Sequence, residues 1–156
     1  MDKLSHIGKD GEARMVDVGD KRATDRSAKA EAFVRLGADL ARQLSETGAT
    51  SKGGVIETAR VAGIMAAKQT PQLIPMCHPL PLSVVDISAE LEDGGVRLRS
   101  FVRCRHATGV EMEAMTAVAV AALTVYDMCK AVSKGIVIES VQLLEKTGGK
   151  SGNWER

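Results

Sequence analysis

Glu113, Asp127 and Lys130 are the side chains best suited to acid–base chemistry, and they share one run, TGVEMEAMTAVAVAALTVYDMCK (residues 108–130). No proline interrupts that run, and no glycine follows Gly109, so a long helix is expected, opened by a Thr108–Glu111 capping box. Met112, Met115, Ala119, Ala122, Leu123 and Tyr126 form its apolar stripe. A second stripe, Glu113, Ala117, Val120, Thr124, Asp127 and Lys130, places small residues between three ionisable ones and lets another surface come close. Asp127 and Lys130 are i, i+3 neighbours, and on an open helix such a pair contributes about 0.5 kcal/mol. Desolvated among small apolar residues, the pair would instead shift the lysine pKa into a useful range. Glu111 is absorbed by the cap, which leaves Glu113 as the better functional carboxylate.

A length argument separates these groups. Glu113 and Asp127 are fourteen residues apart, which leaves them about 40° apart around a helix but roughly 21 Å apart along it. One small reacting centre cannot touch both in a single copy. Either the two serve different ends of a long ligand, or a two-fold axis sets Glu113 near the partner's Asp127; the second reading is preferred and predicts an active site shared between subunits.

Other candidates lie in loops. His78 sits in LIPMCHPLPLS (residues 73–83), where Pro75, Pro79 and Pro81 stiffen an extended segment. Adjacent side chains in such a segment point to opposite sides, so Cys77 and His78 are not a nucleophile–base pair. No ligand spacing for zinc accompanies them. Lys52-Gly53-Gly54 and Lys146-Thr147-Gly148-Gly149-Lys150-Ser151 read as loops that can bring backbone and charge close to phosphate. The second is not a Walker motif, because Leu144 stands where glycine is required and no helix follows.

The elements that position these groups follow from periodicity. Residues 26–34 alternate as a strand, 37–47 read as a short helix ending at Gly48, and GATSKGG is a flexible segment. Residues 55–69 form an amphipathic helix whose packing face is Ile56, Ala59, Ala62, Gly63 and Ala66, ended by Thr70-Pro71. Strands at 83–92 and 95–105 flank an Asp93-Gly94 hairpin turn, and a last strand covers 136–144. Residues 1–25 are expected to be a loosely docked arm or an edge strand, and 145–156 a Gly-rich tail. The order is that of a ferredoxin-like βαββαβ α+β sandwich with an antiparallel sheet, an extra N-terminal arm and an extra short helix, in a single domain over 1–156.

Composition excludes some classes. A net charge of +1 gives no electrostatic case for nucleic acid or an anionic membrane. Arg97, Arg99, Arg103 and Arg105 share one strand face, but a two-residue turn sets Glu92, Glu90 and Ser88 opposite Gly95, Arg97 and Arg99. An RNA-recognition sheet also needs stacking aromatics, and aromatic content is 3%. Widely spaced Cys77, Cys104 and Cys129, with no signal-peptide h-region, lead to an expected cytoplasmic location. The longest apolar run is taken as too short and too interrupted to span a bilayer.

ARMVDV (13–18), ARVAGIMAAK (59–68), LIPMCHPLPLS, VEMEAMTAVAVAALTVYDMCKAV (110–132) and KTGGKSG (146–152) together resemble the cyclic pyranopterin monophosphate synthases of molybdenum cofactor biosynthesis. The resemblance covers nearly the whole chain. It implies a ferredoxin-like homohexamer, a trimer of dimers with sites at the dimer interface. The implied reaction, a lyase step, converts 3′,8-cyclo-7,8-dihydroguanosine 5′-triphosphate to cyclic pyranopterin monophosphate and diphosphate. No resident cofactor is implied, and a Mg²⁺ riding on the substrate triphosphate is compatible with it. By the same resemblance Met76, Cys77, His78, Met112 and Glu113 line the substrate pocket. Asp127 is the active-site aspartate, Lys130 its catalytic neighbour, Lys52 and Lys146 serve the reacting centre and triphosphate, and Arg26 adds a phosphate contact. Ala107 and Asn153 depart from the family pattern, in which a polar or basic residue and an acidic residue are expected.

Overall fold

The computed structural model describes residues 7–8, 10–92 and 94–156. Strand β1 (Thr24–Arg35) is followed by helix α1 (Ala38–Thr47) and a small hairpin, β2 (Ala49–Thr50) and β3 (Gly53–Gly54). Helix α2 (Val55–Lys68), the single turn α3 (Thr70–Leu73), strands β4 (Leu82–Glu92) and β5 (Gly95–His106) and helix α4 (Glu111–Cys129) come next. Strand β6 (Val137–Thr147) and the short β7 (Trp154–Glu155) complete the chain. Among the described residues the main sheet runs β4-β5-β1-β6-β7, and every pairing in it is antiparallel. This is the expected ferredoxin-like α+β arrangement, with β7 added at the edge.

Alternation along β1 sends Ala28, Ala30, Ala32 and Val34 toward the helices. Val96, Leu98 and Val102 of β5 face the same way. Above them α4 presents Ala114, Val118, Ala121, Ala122 and Val125, all fully buried. The stripe expected from the sequence is therefore not the core face: Leu123 is 58% exposed and Met112 39%. Two partners, the sheet and α2, press on α4, so its buried arc is wide and made of small residues, while bulky ones are displaced outward. Ser100 ties the layers together by donating from Oγ to the Ala114 carbonyl at 2.8 Å.

Helix α2 approaches α4 at Gly63. A Cβ placed there would lie 2.9 Å from the Ala117 carbonyl oxygen and 3.3 Å from the Ala121 Cβ. The buried face of α2 is Val55, Ala59, Gly63, Ala66 and Ala67, close to the expected set. Thr70-Pro71 does not end helical structure outright, because Pro71 fits the first turn of α3, where its missing N–H costs nothing.

Three further expectations are corrected. Helix α4 begins at Glu111 with Val110 at its cap and no side-chain capping bond, so Thr108 is not the N-cap. Val110 is drawn fully into the core at the boundary, which leaves Thr108 outside the helix. GATSKGG is not unstructured but folds as the β2–β3 hairpin. By length and composition α4 could cross a membrane, contrary to the sequence reading; 56% of its apolar 18-residue stretch is buried, as befits a core helix of this sandwich. The Asp93 half of the predicted turn lies outside the described residues, as do residues 1–6. Gly94 takes φ +77, and Glu92↔Gly95, Glu90↔Arg97 and Ser88↔Arg99 pair in the expected register.

Gly63→Val forces the α2–α4 contact apart at a backbone carbonyl, which cannot swing away. It is expected to lower stability by about 1–3 kcal/mol, read from denaturant midpoints at unchanged m-value. An unchanged midpoint would mean that this contact is not tight.

Candidate active site

The sequence-predicted residues fall at the two ends of α4. At its C-terminal end, Thr50 Oγ donates to the Met128 carbonyl at 3.0 Å and fixes the β2–β3 hairpin against the helix. That contact delivers Lys52, whose Nζ donates to the Asp127 backbone oxygen at 2.8 Å and to Oδ2 at 3.0 Å. Lys130 Nζ reaches Oδ1 of the same carboxylate at 2.6 Å. Each carboxylate oxygen thus holds one ammonium. Hydrogen bonds from Lys130 and then Lys52 keep the Asp127 carboxyl below its usual range, while Asp127 raises the Lys130 ammonium. The expected downward shift of a desolvated lysine is not present. The cluster is open, with Lys52, Asp127 and Lys130 side chains 40%, 56% and 52% exposed, so water solvates the ammoniums.

At the N-terminal end of α4 the proline-stiffened loop brings Met76, Cys77 and His78 against Met112 and Glu113 around a cavity of about 240 Å³. The arm closes it with Val16, Val18 and Lys21. His78 Nε2 lies 2.8 Å from the Val16 carbonyl, which can only accept, so Nε2 is the donor in this contact. Residues 10–23 therefore act as an arm docked on the loop; the alternative of an edge strand is not what forms. Glu113 is 3% exposed, and burial pushes its carboxyl up to about 7, with Glu111 adding to the rise against its own backbone N–H. Burial, then the Glu113 charge, also pushes the Cys77 thiol up, away from nucleophilic thiolate.

Arg26 and Lys146 line a neighbouring groove of about 780 Å³ that shares Lys21, Thr108, Gly109 and Glu111 with the cavity. Arg26 Nη2 donates to the Ala107 carbonyl at 3.2 Å, so the first departure from the family pattern contributes a backbone contact. At the second, Asn153 Oδ1 accepts from the Gly148 N–H at 3.2 Å, a role that an acidic side chain could also fill. Lys52 does not join Lys146 here, because its hairpin docks at the far end of α4. Lys150 of the glycine-flanked tail loop borders the groove as well, whereas Lys21 and Arg22 are groove residues that sequence reasoning missed, standing in a stretch of mixed charge with no spacing to single them out.

On the open sheet face two of the four arginines in the row are paired with carboxylates. Arg97 bonds Glu92 and Glu31, and Arg99 pairs with Glu90 and Glu31. Phe33, on that face, is covered by the Arg35 and Arg97 guanidiniums and offers no stacking surface. The three cysteines are free thiols, and among the described residues no group of three His, Cys, Asp or Glu could hold a metal ion.

The MoaC family model matches residues 15–149, which include every site residue expected from the sequence. The chain belongs to the MoaC family. It is 54% identical over 155 residues to a cyclic pyranopterin monophosphate synthase of Corynebacterium glutamicum (strain R), covering 99% of this chain and 98% of that one. A protein of the same name from Bordetella avium (strain 197N) is 56% identical over 153 residues, with 97% and 94% covered. The synthase of Corynebacterium efficiens is 54% identical over 154 residues, with 99% of each covered. Both ends of α4 thus fall inside the stretch that this member shares with its family.

Glu113 gives a pH signature. Between the ordinary glutamate value of 4.5 and about 7, the folded chain keeps a proton that the unfolded chain has released. Stability therefore falls as pH rises through that window. Glu113→Gln abolishes the titration, so its stability relative to wild type should rise by roughly 2–3 kcal/mol from about pH 4 to about pH 8. Denaturant unfolding across that range measures it, and a pH-independent difference would show that the carboxyl is not desolvated.

Proposed function

We propose that this MoaC-family chain is a cyclic pyranopterin monophosphate synthase, acting on 3′,8-cyclo-7,8-dihydroguanosine 5′-triphosphate and releasing diphosphate. One observation carries the reading: identity of 54–56%, over nearly the full length, with proteins of that name. The geometry supports it. A cationic groove containing Arg26 and Lys146 suits a triphosphate, and it opens onto a cavity whose walls, Met76, Cys77, Met112 and Leu80, suit a flat heterocycle.

The chemistry divides along the same lines. Attack of a ribose hydroxyl on the α-phosphorus forms one P–O bond and breaks the P–O bond to the leaving diphosphate. The hydroxyl proton goes to a base, and the leaving oxygen departs with the bonding electrons. Lys146 and Arg26 offset the charge that develops on it. Ring opening and pterin closure are proton transfers and additions, for which Lys52 and Lys130, held by Asp127, are the acid–base groups. His78 Nδ1 and the Glu113 carboxyl face the heterocycle. Any Mg²⁺ would ride on the substrate triphosphate.

Asp127 and Glu113 are too far apart on one helix to serve one substrate, and the Lys52–Asp127–Lys130 cluster is too exposed to tune a lysine. Both difficulties vanish if a second copy, within a hexameric trimer of dimers, lays its cluster over this chain's cavity. Covering the cluster would remove water from the ammoniums and lower the lysine pKa. A cytoplasmic location suits a pathway enzyme with reduced thiols.

Diphosphate release from the cyclic dihydro-GTP substrate, with pterin fluorescence after oxidation, tests the activity. Asp127→Ala should lower turnover by at least about 100-fold while the far-UV spectrum is kept. Equal release by both proteins would remove Asp127 from the chemistry, and silence from a folded wild type would overturn the activity itself.

The shared site has its own test. Glu113→Ala and Asp127→Ala proteins, inactive alone, should recover roughly a quarter of wild-type activity after subunit exchange. Half the dimers are then mixed, and each mixed dimer has one intact site. No recovery despite demonstrated exchange would place the whole site in one chain.

A further inference from the structure

The groove at the N-terminal end of α4 carries more positive charge than two phosphate contacts require. Five cations line it, Lys21, Arg22, Arg26, Lys146 and Lys150, against one carboxylate, Glu111. None of the five is in an ion pair among the described residues. Thr24 Oγ and Arg26 Nε are buried beside it without a hydrogen-bond partner among those residues. Such a concentration of uncompensated charge, with unused polar atoms behind it, is a site for a polyanion.

The tail is shaped to complete it. Gly148 and Gly149 take φ +86 and +78, and a Cβ at Gly149 would fall on the Arg26 guanidinium, 1.7 Å from Nη1. The positive φ values are ones that glycine adopts without strain, and they lay the tail backbone on that arginine. Lys146 Nζ and Ser151 Oγ are hydrogen-bonded, closing the loop so that Lys146 and Lys150 both border the groove. Lys52, Asp127 and Lys130 do not line it. Anion binding here is thus built independently of the acid–base cluster.

We propose that this groove binds inorganic diphosphate by itself, so that the diphosphate cleaved from the substrate stays after the pterin leaves and blocks the next substrate. The inhibitory half rests on the synthase reading; the anion site does not. When the α-phosphorus–oxygen bond breaks, the diphosphate keeps the contacts its two phosphoryl groups made in the substrate and gains the charge of the new terminal oxygen. It loses only its tether to the heterocycle, so its departure is the slow release step.

Titration calorimetry of the full chain with sodium diphosphate, in EDTA so that protein cations alone hold the ligand, tests the site. One diphosphate per chain should bind, at least about tenfold tighter than monophosphate, and Arg22→Ala and Lys150→Ala should each weaken it about tenfold. Both positions are exposed, so these variants should fold. Failure of folded wild type to bind, or indifference to both substitutions, would overturn the proposal. In turnover assays diphosphate should inhibit competitively against the cyclic dihydro-GTP substrate, with Lys150→Ala needing about tenfold more of it. Pterin formation without competitive inhibition would overturn the inhibitory half and leave the synthase reading standing. Tight, Lys150-dependent binding by a protein that forms no pterin would do the reverse.

Discussion

The close approach of α4 to the sheet and to α2 is the constraint on which the rest depends. Alanines on β1 face alanines and valines on α4, and Gly63 lets α2 sit on the Ala117 carbonyl. Small residues on both sides give each contact little area, but there are many contacts and no slack between layers. A helix held this way on two flanks cannot roll or slide. Glu113 and Asp127, near its two ends, are therefore fixed relative to the sheet, and everything else in the candidate site is brought to one end or the other.

The two ends are built differently. At the N-terminal end, three segments from distant parts of the chain converge: the arm, the proline loop and the tail. Their contacts are largely to backbone, His78 to the Val16 carbonyl, Arg26 to the Ala107 carbonyl, and Gly149 against Arg26. At the C-terminal end one short hairpin docks through Thr50 and delivers one lysine. The first arrangement encloses a cavity and desolvates a carboxyl. The second leaves two ammoniums and a carboxylate in water.

That contrast marks what could be read from the chain and what could not. Register in the β4–β5 hairpin was legible because a two-residue turn leaves no freedom in which residues face each other. The extent of α2 and the placing of the proline loop at a concave surface were likewise local matters of spacing and stiffness. The buried face of α4 was misread, because periodicity reports the mean hydrophobic direction, whereas burial on two flanks selects small residues and expels Leu123 and Met112. The capping box failed for a related reason: core packing of Val110 overrode a local hydrogen bond. Lys21, Arg22 and the Val16 carbonyl gave no signal at all, since their place depends on where the arm crosses the fold. The resemblance named candidate residues but not that Lys52 and Lys146 stand at opposite ends of the helix.

Burial acts in opposite directions on the two kinds of group involved. Desolvation raises a carboxyl, as it does at Glu113, and lowers an ammonium. In the chain by itself the lysine end lacks that influence, and the Asp127 carboxylate moves Lys130 the other way. If a second copy covers the cluster, the carboxylate and the lost water oppose each other at the lysines. The resulting balance, rather than either group alone, sets which ammonium can give up a proton near neutral pH. Lys52 and Lys130 do not meet Asp127 alike, because Lys52 also donates to the Asp127 backbone oxygen and comes from a separate hairpin. Covering the cluster would confine Lys52 between two anchors while Lys130 keeps the single bond to Oδ1. On that asymmetry Lys52 is the more firmly held ammonium and Lys130 the one freer to turn.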